Sequence, residues 1–144
     1  MNQLRIFLVL ISIFALGCGT KQAEKNAATP TNAAGSAAEI VNVNATKGLA
    51  ILEKSNDIII LDVRTPQEFA SGHIKGAINI NIGDSDFKSK IESLDRDKTY
   101  FVYCASGYRS GASVDLMKKL KFKHIYHMAD GIAGWRMVGN PLVK

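Results

Sequence analysis

Cysteine is scarce in this sequence: 144 residues contain two, Cys18 and Cys104, so a disulfide-stapled scaffold is excluded. No Cys-x-x-Cys or His-Glu-x-x-His pattern occurs. The one close histidine pair, His124 and His127, falls on an expected strand, where residues three apart face opposite ways, so no metal is expected. Long apolar runs are also missing. The stretch from Ile6 to Leu16 is broken by Ser12 and falls short of the roughly 20 residues a membrane-spanning helix needs. Basic residues are not interleaved with aromatic ones, which argues against nucleic acid as a partner. No internal repeat is present, and no organic cofactor is expected.

What is present reads as one globular domain behind an export segment. A content of 47% hydrophobic and 22% charged residues suits a single buried core. Arg5, the apolar run and the small residues that end it have the layout of a secretory signal. Ala15-Leu16-Gly17-Cys18 resembles the lipobox of bacterial lipoproteins, with Ala15 and Leu16 in the reverse of the usual order. The resemblance implies acylation of Cys18, attachment to a lipid membrane and a place in the bacterial cell envelope, with the domain outside the cytoplasm. Residues 1–18 are thus expected to be signal peptide. Residues 19–38, rich in Ala, Asn, Thr and Lys without a large apolar side chain, are expected to be a flexible tether, and 39–144 the domain. Loss of the signal takes Arg5 from 18 basic residues set against 13 acidic ones, a mild excess that suits small anions. With Cys18 acylated, Cys104 would be a lone thiol in an oxidising compartment, a liability whose retention points to chemistry.

Within the domain, Ile40 to Val43, Ile78 to Ile80, Tyr100 to Tyr103 and Lys123 to His127 read as short strands, and Ile58 to Leu61 as a continuous apolar run that fits a strand covered on both faces. Between them lie helical patterns: Ala45, Leu49 and Leu52 behind a capping Asn44; Phe87, Ile91 and Leu94; and Ala112, Leu116 and Leu120. Thr65-Pro66-Gln67-Glu68 carries an N-cap, a proline at the first helical position and a glutamate at the third. Alternating strands and helices predict an α/β domain with a mainly parallel sheet and helices on both faces. Ligands bind such sheets at the carboxyl ends of the strands.

Cys104 stands at such an end. The segment Cys104-Ala105-Ser106-Gly107-Tyr108-Arg109-Ser110 is expected to be a tight loop entering a helix, where amide N–H groups converge on an anion. Gly107 supplies conformational freedom, Arg109 a fixed charge, and together they favour Cys104 as thiolate, the nucleophilic form. A buried, inert cysteine is the plainer alternative.

Leu61-Asp62-Val63-Arg64-Thr65-Pro66-Gln67-Glu68-Phe69 and Gly72-His73-Ile74-Lys75-Gly76-Ala77-Ile78-Asn79-Ile80 resemble the two signature stretches of the rhodanese homology domain. The Cys104–Ser110 loop is similar to its active-site loop, and Asp130-Gly131-Ile132-Ala133-Gly134-Trp135 with Gly139-Asn140-Pro141 to its closing motif. Asn81 and Asp130 depart from it, at places where Pro and Gly are usual. The resemblance implies a five-stranded parallel sheet and a sulfurtransferase of the thiosulfate type. Cys104 would carry sulfur as a persulfide, cradled by the loop from Ala105 to Ser110. Arg109 would help bind a small anionic sulfur donor such as thiosulfate, polysulfide or a persulfide, and a thiol or cyanide would accept the sulfur. Asp62, Arg64 and Glu68 are expected to form an ion-pair and capping network, His73 to be a hydrogen-bonded support, Trp135 to sit in the core, and the protein to be a monomer.

Two other functions stay open. A non-enzymatic sulfur carrier or binding module would share the Cys104 loop. A cysteine-dependent phosphatase or arsenate reductase would use the same residue types, but four residues separate Cys104 from Arg109, one fewer than tyrosine phosphatases place there.

Overall fold

A computed structural model describes residues 38–144. The expected signal peptide, Cys18 and the tether up to residue 37 lie outside the described residues. Ten elements alternate along the described residues. They are β1 (Glu39–Val43), α1 (Ala45–Leu52), β2 (Ile59–Asp62), α2 (Pro66–Ala70), β3 (Ile78–Asn79), α3 (Phe87–Glu92), β4 (Thr99–Tyr103), α4 (Tyr108–Lys119), β5 (His124–Met128) and α5 (Gly131–Met137). The five strands form one sheet in the order β1-β5-β4-β2-β3, every neighbouring pair parallel. The first and last strands are therefore partners, Glu39 opposite His124 through Val43 opposite Met128.

Local chemistry sets the helix starts. Asn44 accepts the Lys47 N–H at 2.9 Å to cap α1. Thr65 and Glu68 satisfy each other's backbone N–H groups in a capping box at α2, with Pro66 at the first turn. Asn81 holds the Gly83 N–H at 3.0 Å and Asp84 at 2.6 Å, a side-chain turn in place of a proline.

The central strand β4 builds two cores by alternation. Tyr100 and Val102 face a cluster with Phe87, Ile91, Val114 and Met117, under α3 and α4. Phe101 and Tyr103 face Ala45, Ile132 and Trp135, under α1 and α5. Each fully buried side chain of this kind adds about 1.5–3 kcal/mol of apolar transfer free energy.

One helical face differs from expectation. On α4 the buried residues are Ser110, Ser113, Val114 and Met117, while Ala112 is exposed and Leu116 and Leu120 only half-buried. The first turns of α4 press against the Cys104 loop, so small hydroxyl side chains occupy the inner face there. Their oxygens bond back to Gly107 and Arg109 carbonyls at 3.0 Å, which removes the cost of burying them. The segment after β5 is also helical, α5, although Gly131 and Gly134 weaken its helical signal.

Candidate active site

β4 ends at Tyr103, and the chain turns at once into the N-terminus of α4. Cys104 sits at that turn, 1% exposed. Its sulfur receives the Gly107 N–H at 3.2 Å and lies 3.4 Å from Ser110 Oγ. Burial pushes the Cys104 thiol up. The Ser110 hydroxyl and the backbone N–H groups of Ser110, Ser106 and Gly107 push it down, and the net shift is downward. The loop thus favours thiolate chiefly through its own N–H and O–H donors, with the Arg109 guanidinium close enough to interact with the sulfur.

Two glycines make the loop possible. Gly107 caps α4 with φ +91°, and a Cβ there would collide with the Ala129 carbonyl, meeting its carbon at 2.8 Å. Gly131 has φ +60°, and a Cβ would fall 2.6 Å from the Ser106 nitrogen. Because Gly131 lets the chain pass this close, the first amides of α5 reach the loop: Ile132 N–H bonds the Cys104 carbonyl at 2.8 Å, and Ala133 N–H bonds that of Ala105 at 3.1 Å. Asp130, just before, accepts the Ala45 N–H at 3.0 Å and so ties the start of α5 to the start of α1. Its side chain takes the place of the usual glycine without disturbing an ordinary right-handed backbone, φ −89° and ψ −4°.

The remaining expected site residues fall into separate groups. Asp62 and Arg64 form a buried ion pair, 0% and 2% exposed. Arg64 donates to both carboxylate oxygens of Asp62, at 2.6–3.0 Å, and to the Gly72 carbonyl at 2.9 Å, with its guanidinium 5.7 Å from the Tyr103 ring. Burial alone would lower the Arg64 pKa, but Asp62 reverses this and holds it raised. Glu68 belongs to a second pair, donated to by both terminal nitrogens of Arg109 at 2.6 and 2.8 Å. Arg109 brings the Glu68 carboxyl from 4.5 down to about 2, with help from Thr65. Arg109 therefore brings oriented N–H groups to the loop mouth, while Glu68 compensates its charge. Tyr108 points into solvent at 87% exposure, and Ser106 is exposed. His73 stacks on Phe69 with ring centroids 3.7 Å apart, its Nδ1 lies 3.1 Å from the Phe69 carbonyl, and its backbone bridges to Val143.

Two residues behind Ser110, His127 and Asn42, had no place in the site expected from the sequence. His127 Nε2 lies 2.9 Å from Ser110 Oγ and 3.3 Å from the Gly107 carbonyl, and its Nδ1 lies 2.9 Å from Asn42 Oδ1. His124 turns instead to Glu39, at 3.2 Å. The available signal was position: His127 is near the carboxyl end of β5, the neighbour of β4 in a parallel sheet.

Residues 44–137 match the family model described as the rhodanese-like domain. Among curated proteins, the uncharacterized protein YqhL of Bacillus subtilis is 36% identical over 76 residues, 53% of this chain and 59% of that protein. The thiosulfate sulfurtransferase PspE of Escherichia coli is 27% identical over 84 residues, 58% of this chain and 77% of that protein. The chain thus spans under two thirds of YqhL and more of PspE. Among solved structures, a rhodanese-related protein from Thermoplasma volcanium superposes with a TM-score of 0.63 at 36% identity, covering 72% of this chain and 97% of that one.

Proposed function

Because the chain belongs to the rhodanese-like domain family, we propose that it is a sulfurtransferase that passes sulfane sulfur through a persulfide on Cys104. The observation that carries this reading is the buried Cys104 sulfur at a helix start, within reach of the Gly107 N–H and the Ser110 hydroxyl. In the first half-reaction the Cys104 thiolate attacks the outer sulfur of a donor. An S–S bond forms on Cys104, and the donor's own bond to that sulfur breaks, releasing sulfite from thiosulfate or a thiolate from a persulfide. In the second, a thiol or cyanide attacks the outer sulfur, and Cys104 leaves as thiolate. The loop donors of Ser106, Gly107 and Ser110 that favour the thiolate would also favour an anionic persulfide, whose charge sits one sulfur further out.

The Glu68–Arg109 pair counts against the phosphatase reading. A phosphate dianion needs uncompensated positive charge, and both terminal guanidinium nitrogens of Arg109 already serve a carboxylate. A carrier that turns over little by itself remains the second reading, and the bottom of the loop serves it equally.

The test is mass spectrometry of the full-length protein after incubation with thiosulfate or polysulfide, with peptide mapping and a steady-state assay using cyanide. A single added sulfur on the peptide containing Cys104, removed by dithiothreitol and accompanied by turnover, is the expected result. An adduct without turnover would leave the carrier; no adduct from either donor would sink the proposal.

The N-terminal reading belongs to the same proposal: acylation of Cys18 would place the domain at a membrane surface in the cell envelope. Metabolic labelling with an alkynyl fatty acid should mark the wild-type chain and not Cys18→Ser. Equal labelling of the two would rule the anchor out.

A further inference from the structure

Ser110 has one hydroxyl proton and three acceptors around it: Cys104 sulfur at 3.4 Å, the Gly107 carbonyl at 3.0 Å and His127 Nε2 at 2.9 Å. Where that proton goes depends on His127. With the Asn42 oxygen 2.9 Å from Nδ1, the hydrogen of the neutral ring is assigned to Nδ1, which leaves Nε2 bare toward the serine. The contacts then line up as Cys104 S–H to Ser110 Oγ, Ser110 O–H to His127 Nε2, and His127 Nδ1–H to Asn42 Oδ1.

We propose that His127 is a positioning residue that holds the Cys104 proton, received through Ser110, while the sulfur is ionised. This rests on the reading of Cys104 as the reacting thiol. In the step, the S–H bond breaks and its proton bonds to Ser110 Oγ, while the serine's own proton bonds to His127 Nε2. The products are thiolate and imidazolium, with the serine neutral between them. The serine hydroxyl now donates to sulfur, and the new Nε2–H donates to Ser110 Oγ and to the Gly107 carbonyl at 3.3 Å, an acceptor with nothing to receive from a bare Nε2. The reverse transfer returns the proton when Cys104 leaves as thiolate.

The surroundings suit a proton held only when its counter-charge is present. Burial pushes His127 down and keeps it neutral at rest, while the Gly107 carbonyl and Asp115 push it up. Asp115 comes from α4, and Cys104 follows β4. From β1 the facing group is the uncharged Asn42 amide, and on β4 the register partner is Val102. A serine alone cannot play this part, since its hydroxyl takes no second proton near neutral pH, whereas imidazole titrates near 6.5.

The test is the pH profile of Cys104 alkylation by iodoacetamide in the full-length protein, followed by mass spectrometry without any sulfur donor. Failure of sulfur transfer leaves this readout intact. His127→Gln keeps a hydrogen-bonding amide but takes no proton, and its alkylation midpoint should rise by about one pH unit, on the order of tenfold less thiolate below the midpoint. Asn42→Asp places a carboxylate on Nδ1, makes the ring more basic, and should lower the midpoint. Opposite shifts of this kind do not arise from a merely structural role. A His127→Gln profile that superposes on wild type, or an Asn42→Asp midpoint that stays or rises, would overturn the proposal. Should His127→Gln fail to fold by circular dichroism, the Asn42→Asp shift decides alone.

Discussion

Gly107→Ala should slow sulfur loading of Cys104 by at least about a hundredfold, the loss expected when a reacting group is displaced by an ångström or so. Two costs act at the same residue. A side chain at φ +91° is strained by about 1–3 kcal/mol, and the added carbon would collide with the Ala129 carbonyl, which is backbone and has little room to give. The loop must therefore shift, carrying the Gly107 N–H away from sulfur and undoing part of what keeps the thiol acidic. Loading is read as the rate of the persulfide mass shift, beside a thermal melt. Wild-type loading by a folded Gly107→Ala protein would show that the loop geometry does not matter to the chemistry.

Asp62→Ala should act on stability rather than on the sulfur. Arg64 is 2% exposed, and without Asp62 its charge would be buried with only the Gly72 carbonyl and the Tyr103 ring for company. Removing one partner of a buried ion pair costs about 3–5 kcal/mol, which for a domain near 100 residues lowers the melting temperature by about 12 °C or more. Replacing both residues, Asp62→Leu with Arg64→Met, removes the stranded charge and should recover most of that loss. Circular dichroism melts of the single and double variants decide it. A single variant within about 2 °C of wild type would mean that the pair is solvated by some route other than its own contacts.

Much of the fold was legible because its signals are local. The capping box at Thr65 needs only four consecutive residues, and β4 declares itself as an unbroken apolar run that meets a helix on each face. Position 104 was legible for the same reason, as the residue where that run ends. The inner face of α4 was legible only in part: Leu116 and Leu120 pack against the core as their spacing suggests, whereas Ala112 is exposed and Ser110 and Ser113 fill the buried face nearest the loop. Contacts between distant residues left no local trace at all. Arg109 meets Glu68 across 41 positions and His127 meets Asn42 across 85, so only the assembled sheet brings either pair together. A histidine pair on a strand suggested metal and argued against it; the same alternation that separates His124 from His127 is what turns His127 toward Ser110.

The pairing of β1 with β5 also sets an order of events for a chain made from its N-terminus. The ribosome delivers the first strand early, but its hydrogen-bonding edge has no native neighbour until residues 124–128 have been synthesised. Until then Glu39–Val43 is a strand segment without its place in the sheet, and Asn42 waits for a ring that does not yet exist. The domain is thus kept from its native state until its fifth strand is available, a delay of the kind that long-range parallel pairing imposes.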